Sequence, residues 1–246
     1  MGRTLGLIYG VVVYAFFFAV FLYAIAFVED LPVPNTLDRG PATPVARAVI
    51  MDLVLLGLFA IQHSVMARPA FKRWWTRLVP PPIERSTYVL AASLVLALLC
   101  WRWRPIPAVL WSVGGAGAVI LQAVSWIGWA VVLGATFLLN HFELFGLSQV
   151  WENLRGKAAA APVFRTPLLY GFVRHPLYMG FVLAFWAAPT MTAGHLLFAA
   201  ATLGYMLIAI QLEERDLVGT FGETYVAYRR RVSMLIPLPP RSAKPG

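Results

Sequence analysis

Apolar positions in this chain fall into long unbroken runs, with polar residues gathered between them rather than alternating. The run at 5–28 carries no charge and at 1.5 Å per residue is long enough to cross a hydrocarbon core of about 30 Å. Its Ala24-Ile25-Ala26 triplet resembles a signal-cleavage site, but the stretch is too long for a signal core and more runs follow, so an uncleaved first helix is expected. A second span covers 45–65, with Arg47 at its start and Asp52, Gln62 and His63 inside. A third, shorter one covers 87–101. Residues 106–139 have no formal charge and are too long for one upright helix yet too short for two. A span over 115–139, preceded by an interfacial piece rich in Pro and Trp, fits best. The runs at 177–190 and 194–212 form a tight hairpin. The pattern predicts an all-α, polytopic transmembrane helical bundle with five to six membrane-embedded helices. One domain is expected over 1–246: spans in 1–139, a cytoplasmic loop at 140–176, then the hairpin and C-terminal segment at 177–246. The alanine run at 158–161 reads as spacer.

Composition agrees. The chain is 60% apolar and 13% charged, against about 45–50% and about 25% for an ordinary soluble domain, which excludes a soluble domain and a disordered chain. Cys100 is the only cysteine, so intrachain disulfides, Cys-based zinc sites and CxxC redox pairs are excluded; it reads as core. The net charge of +9 needs another explanation. With a cytoplasmic N-terminus and six embedded segments, Arg3, five basic residues at 67–86, four at 140–176 and six beyond 212 share one side. Arg39, Arg47, Arg102 and Arg104 take the other, so sixteen of the 20 basic residues lie together. The positive-inside rule then puts both termini in the cytoplasm. Topology accounts for the charge, and nucleic-acid binding is not needed.

Candidate chemistry concentrates near the C-terminus. In Arg174-His175-Pro176-Leu177-Tyr178-Met179-Gly180, Pro176 suits a first helical position. That leaves Arg174 and His175 at a helix N-terminus, where free N–H groups and the dipole favour an anion. Gly180, Ala184 and Ala188 form a small-residue face, expected to pack on Ala200 and Gly204. Glu213 and Glu214 point about 100° apart on a helix, so one can face a cavity while the other pairs with Arg174 or Arg215. Leu217, Phe221, Tyr225, Tyr228 and Val232 follow helical spacing and end at Arg229-Arg230-Arg231, as in an amphipathic helix at an anionic membrane surface on the cytoplasmic side. The bland readings are a juxtamembrane Arg-His anchor and an exposed acidic helix end.

Elsewhere, Gly114-Gly115-Ala116-Gly117 reads as close helix packing, because no strand precedes it as a dinucleotide loop requires. Asp52 reads as an interhelical or Arg47 partner, and His195 falls on the face away from the motifs. No HExxH, Walker or EF-hand pattern is present, so no metal is expected.

The motifs R-H-P-x-Y-x-G at 174–180, E-E at 213–214 and F-G-x-x-Y-x-x-Y-x-x-x-V at 221–232 together resemble the C-terminal signature of the isoprenylcysteine carboxyl methyltransferase superfamily. Upstream, Q-H-S-V-M-A-R-P-x-F-K-R-W-W (62–75), P-I-E-R-S-T-Y-V-L (82–90) and N-H-F-E-L-F-G-L (140–147) resemble its bacterial methanethiol S-methyltransferase branch. The likeness spans most of the chain and weakens in the first 45 residues, at 100–125 and at 152–166. It implies an inner-membrane enzyme using S-adenosylmethionine to methylate a small thiol, methanethiol, to dimethyl sulfide. Arg174 and His175 would grip the methionyl carboxylate and one of Glu213 or Glu214 the ammonium or ribose. Tyr178, Tyr225 and Tyr228 would pack near the nucleoside, and Trp186 is one aromatic candidate for the cationic donor. His63 or His141 would take the thiol proton, with Gln62 or Asn140 orienting the substrate; for each histidine a structural role is the competing reading. Two alternatives stay open: methylation of a lipid or isoprenylated cysteine carboxylate, and a non-enzymatic denitrification-linked membrane role. Membrane lipid is the other expected partner, and oligomeric state is not legible.

Overall fold

The computed structural model describes residues 2–157 and 164–238; the alanine run at 158–161 and the basic residues Arg241 and Lys244 lie outside them. In chain order come α1 (Arg3–Val28), α2 (Val45–Ala67), α3 (Pro69–Trp75), α4 (Pro81–Arg102), β1 (Val109–Ser112) and α5 (Gly115–Leu138). Then follow α6 (His141–Leu144), α7 (Leu147–Leu154), a 3-10 turn (Leu168–Gly171), α8 (Pro176–Trp186), β2 (Thr190–Thr192), α9 (Ala193–Phe221) and α10 (Glu223–Arg231). Among the described residues, α1, α2, α4, α5 and α9 are long and apolar enough to cross a membrane. Many of their large apolar side chains stay exposed, Ile50, Ile61, Val119 and Ile208 among them, as lipid-facing positions should. The protein is integral to a membrane.

The chain divides into two compact units. The first comprises residues 1–112, 140–160 and 190–201. Its α1, α2 and α4 pack together, and α7 lies along α1 and α4. Val13, Tyr88 and Val89 form a core there, joined by Tyr9, Phe17, Met66 and Phe145. α4 starts six residues before the expected 87. Pro81 and Pro82 suit a first turn, and Glu84 is buried and bonded to Lys72 at 3.1 Å. At the opposite end, Asn35 Nδ2 donates to the carbonyls of Cys100 (2.7 Å) and Trp103 (3.2 Å), satisfying the frayed end of α4. Cys100 is buried and free, as expected. Asp52 partners the segment after α4 rather than Arg47: its Oδ1 accepts the backbone N–H of Arg104 at 2.9 Å. His195 is buried in this unit, its Nδ1 3.9 Å from Asp38. The Pro/Trp piece includes a strand, β1, antiparallel to β2, rather than an interfacial helix.

The second unit comprises residues 113–139, 161–189 and 202–246. Here α8 runs antiparallel against α5 on a seam of small residues. A Cβ added to Gly128 would lie 2.5 Å from Ala184 N and 2.6 Å from Gly180 O; one on Gly180 would lie 2.7 Å from Gly128 O. Ser125 Oγ donates to the Ala184 carbonyl at 2.9 Å, and Trp129 stands edge-on to Phe181 and Phe185. The small-residue face of α8 therefore packs on α5, whereas a Cβ added to Gly204, an expected partner, would meet nothing within 4 Å. Nor do Gly114 and Gly115 approach anything: they open α5, with Gly115 at φ +57°.

With 11 residues, α8 is about 16 Å long, too short to cross alone. Pro189 disfavours helix in the residue before it, and the chain continues extended. Its Pro189 carbonyl accepts the N–H of Val113 at 2.9 Å, so α8 and its extension run back along α5 to the start of that helix. Tyr178 on α8 meets Glu213 on α9, so the expected hairpin is present. The stripe from Leu217 to Val232 is not one helix. Gly222, at φ +57°, breaks it into α9 and α10, while Val232 is extended.

Gly128→Ala should lower stability by about 1–3 kcal/mol, since a backbone contact must open, while Gly204→Ala should not. Thermal unfolding midpoints of the two variants in one detergent check this.

Candidate active site

The second unit turns into α8 through Val173-Arg174-His175, alongside the chain leaving α10. Val173 bridges Ser233 in parallel; the N–H groups of Arg174 and His175 donate to the carbonyls of Ser233 (2.8 Å) and Met234 (3.2 Å). Pro176 opens α8 as the sequence predicts, and its missing N–H would have been unpaired there anyway. This pairing holds the two side chains over α9.

Glu214, 4% exposed, is the centre. Its Oε1 accepts from Arg174 Nε at 2.7 Å and from His175 Nε2 at 3.0 Å; Arg229 Nη1 stands 3.8 Å from Oε2. Arg174 Nη1 donates to the carbonyls of Arg229 (3.1 Å) and Val232, so one guanidinium joins the start of α8, α9 and the end of α10. Its Nη2 carries no bond among the described residues. Glu213, next along α9, is half-buried, and its Oε2 accepts the Tyr178 hydroxyl at 3.2 Å. Of the two acids it is Glu214 that pairs with Arg174, as one of them was expected to, while Glu213 Oε1 has no bond among the described residues.

Tyr225 and Tyr228 are buried, and Phe164 stands edge-on to both at 5.8 and 5.4 Å. Leu217 and Phe221 complete this cluster. The Tyr228 hydroxyl donates to the Tyr170 carbonyl at 2.6 Å. Burial pushes the Tyr228 phenol up to about 12. It pushes Tyr225 above its usual value too, the Glu214 carboxylate adding and the Arg174 cation opposing. Both stay neutral near pH 7, so they pack and donate rather than act as bases. Trp186 Nε1 is buried without a partner among the described residues.

His63 and His141 belong to the first unit. His63 stacks on Phe59 at 5.2 Å, and its ring nitrogens lie 3.1 and 2.9 Å from the Tyr88 hydroxyl. Arg85 lies 5.2 Å over the Tyr88 ring and donates through Nε to the Leu144 carbonyl at 2.8 Å. His141, 5% exposed, places Nε2 2.8 Å from the Tyr14 hydroxyl. Burial holds its imidazole below the usual range, leaving it neutral near pH 7. Gln62 Nε2 lies 3.1 Å from Met66 Sδ, and Asn140 Nδ2 donates to Glu143 at 2.8 Å. The sequence reading missed four participants: Tyr170, Arg229, Tyr88 and Tyr14. Tyr88 lay in a quoted motif and Arg229 in the basic run; Tyr14 had no signal, because its contact spans 127 positions.

A protein named Methanethiol S-methyltransferase from Mycobacterium tuberculosis is 58% identical over 242 residues, covering 98% of this chain and 99% of its own length. The chain belongs to the methanethiol S-methyltransferase family. A second member, Methanethiol S-methyltransferase 1 of Bradyrhizobium diazoefficiens, is 59% identical over 96% of this chain and 83% of its own. A more distant relative, the Nurim homolog of Drosophila pseudoobscura pseudoobscura, is 30% identical over 74% of this chain and 75% of its own. No family model and no solved structure matches the chain. Among the described residues no cluster of ligands suits a metal ion.

Glu214→Gln should destabilise the protein by about 3–5 kcal/mol, because Arg174 is left buried beside a neutral amide. The drop in unfolding midpoint, measured in detergent without ligand, checks it; Glu213→Gln should leave the midpoint within error.

Proposed function

We propose that the protein is a methyltransferase that converts methanethiol to dimethyl sulfide with S-adenosylmethionine as methyl donor. The observation that carries this reading is the match to methanethiol S-methyltransferases over almost the whole of both chains. That end-to-end match also supports one catalytic domain over 1–246.

The donor set in the second unit fits such a cofactor. Arg174 Nη2 and the half-exposed Arg229 offer cationic donors to a carboxylate, with His175 held beside them by Glu214. Glu213 Oε1 is an acceptor suited to an ammonium or a ribose hydroxyl. Tyr178 presents a ring beside Glu213, and Tyr225 and Tyr228 form the packed base of the site from behind. When bound, S-adenosylmethionine supplies an electrophilic methyl group on a sulfonium sulfur. The residues of this chain bind and align it; methyl transfer is a displacement that gains most from positioning. Thiols react as thiolates, so a proton acceptor is required. His63 and His141 are the candidates, with Gln62 and Asn140 orienting the acceptor.

In this reading the protein lies in the bacterial inner membrane with both termini cytoplasmic. The run of α8 back along α5 gives a sixth embedded segment, an even number that returns the chain to its starting side. The sixteen basic residues on that side support the orientation.

Purified protein in detergent, given S-adenosylmethionine and methanethiol, should release dimethyl sulfide into the headspace, measured by gas chromatography. No product from folded protein, or product only from an isoprenylated cysteine or lipid acceptor, defeats the proposal. Glu213→Gln should weaken S-adenosylmethionine binding about 10- to 100-fold by calorimetry, the usual worth of a hydrogen bond to a charged group.

A further inference from the structure

His141 follows Asn140, which adopts the left-handed conformation at φ +78° and turns the chain sharply out of α5. The turn sends the imidazole inward, where it is 5% exposed. Tyr14, Phe142 and Phe145 all stand edge-on or tilted around it, with ring centroids at 5.8, 5.4 and 4.9 Å. Burial favours the neutral ring. Its Nε2 faces the Tyr14 hydroxyl at 2.8 Å. Tyr14 is the less buried member of the pair.

We propose that Tyr14 and His141 act as one proton acceptor for the thiol, with the Tyr14 hydroxyl as the relay. The inference rests on the methanethiol reading above. The S–H bond of the acceptor breaks, its electron pair stays on sulfur, and its proton passes to the Tyr14 oxygen. The phenol proton moves at the same time to the lone pair of His141 Nε2. The phenol ends neutral, the imidazole carries the proton, and the thiolate is left to attack. No free phenolate is formed, so the high intrinsic pKa of a tyrosine is no obstacle. A small apolar thiol suits an aromatic surround that sulfur also favours.

Charged and titratable groups on the elements packed around the pair are few. On α4, Arg85 is turned to the Leu144 carbonyl. On α6, Glu143 holds Asn140. On α1, Tyr9 is bonded to Thr87. Just past α7, Arg155 lies over Trp151 at 4.7 Å; the remaining acids are Glu152 on α7 and Glu84 on α4, the latter paired with Lys72. By contrast, the His63–Tyr88 pair has the Arg85 cation over its phenol ring, so a proton delivered there meets a positive charge.

Tyr14→Phe removes only the hydroxyl and tests the idea. Near neutral pH, kcat/KM for methanethiol should fall about 100-fold, the low end of what general-base assistance contributes. As pH rises the variant should recover towards wild type, because more acceptor arrives already ionised. His141→Gln should show the same pH-dependent deficit, and the double variant should be no worse than either single one, as expected of groups that act as a unit. S-adenosylmethionine affinity by calorimetry should be unchanged in Tyr14→Phe, which also reports folding. A deficit of constant size across pH means a packing role and overturns the proposal. So does a pH-dependent deficit in Tyr88→Phe with none in Tyr14→Phe. The wild-type headspace result tests the underlying reading by itself: product from wild type together with a fully active Tyr14→Phe defeats the relay alone.

Discussion

A single buried carboxylate organises the second unit. Glu214 sits on a long apolar helix, nearly excluded from solvent, where an unpaired charge would be prohibitively costly. Its position therefore demands Arg174 Nε and His175 Nε2, and those two are supplied from a chain segment that must run beside Ser233 and Met234. Arg174 reaches on to the carbonyls of Arg229 and Val232, closing the end of α10 onto the same charge. Start of α8, last third of α9 and exit from α10 are thus fixed by one set of charge-assisted bonds. A hydrophobic replacement could hold the same elements together without the charge. What the ionic version adds is orientation: it leaves Arg174 Nη2 and Glu213 Oε1 as oriented, uncommitted groups of opposite sign.

Packing in the membrane-embedded part follows a different rule. Lipid tails are as apolar as leucine, so burying leucine against leucine gains little there, and close backbone approach must contribute instead. Gly128 and Gly180 meet this need on α5 and α8, with Ser125 bonded across the seam. The large apolar side chains of α1, α2 and α5 are accordingly left facing outward. Polar groups collect at helix ends, where Asn35 closes α4 and the paired Glu84 and Lys72 begin it.

Much of this was legible in the sequence because length and hydropathy are additive along the chain. The spans of α1, α2, α5 and α9, the proline that opens α8 and the pairing of one of the two adjacent glutamates with Arg174 all follow from local pattern. What was hidden depends on partners distant in sequence. Glu84 lies ahead of the expected span, and its pairing with Lys72, twelve positions away, becomes visible only in the fold. The partner of Gly180 could have been any small-residue helix, and only the fold selects Gly128. Four residues at 109–112 carry too little pattern to announce a strand without their pairing to 190–192. Gly222 interrupts a stripe whose spacing continues undisturbed through it, since periodicity records which side chains meet and not the backbone that brings them there. Tyr14 is the extreme case: one tyrosine among many aromatic residues in α1, distinguished only by His141.

The proposed reaction makes an electrostatic demand of its own. A thiolate and a sulfonium carry opposite charges and give neutral products, so surroundings of low dielectric favour their combination rather than hinder it. The same surroundings oppose making the thiolate, because ionising a thiol away from water is costly. The difficult requirement on the protein is therefore proton removal rather than methyl transfer. A neutral imidazole linked to a phenol meets it without placing a permanent charge among the surrounding aromatic rings. Burial inside the aromatic wall of Tyr14, Phe142 and Phe145 keeps that imidazole neutral, ready to take a proton when the acceptor arrives.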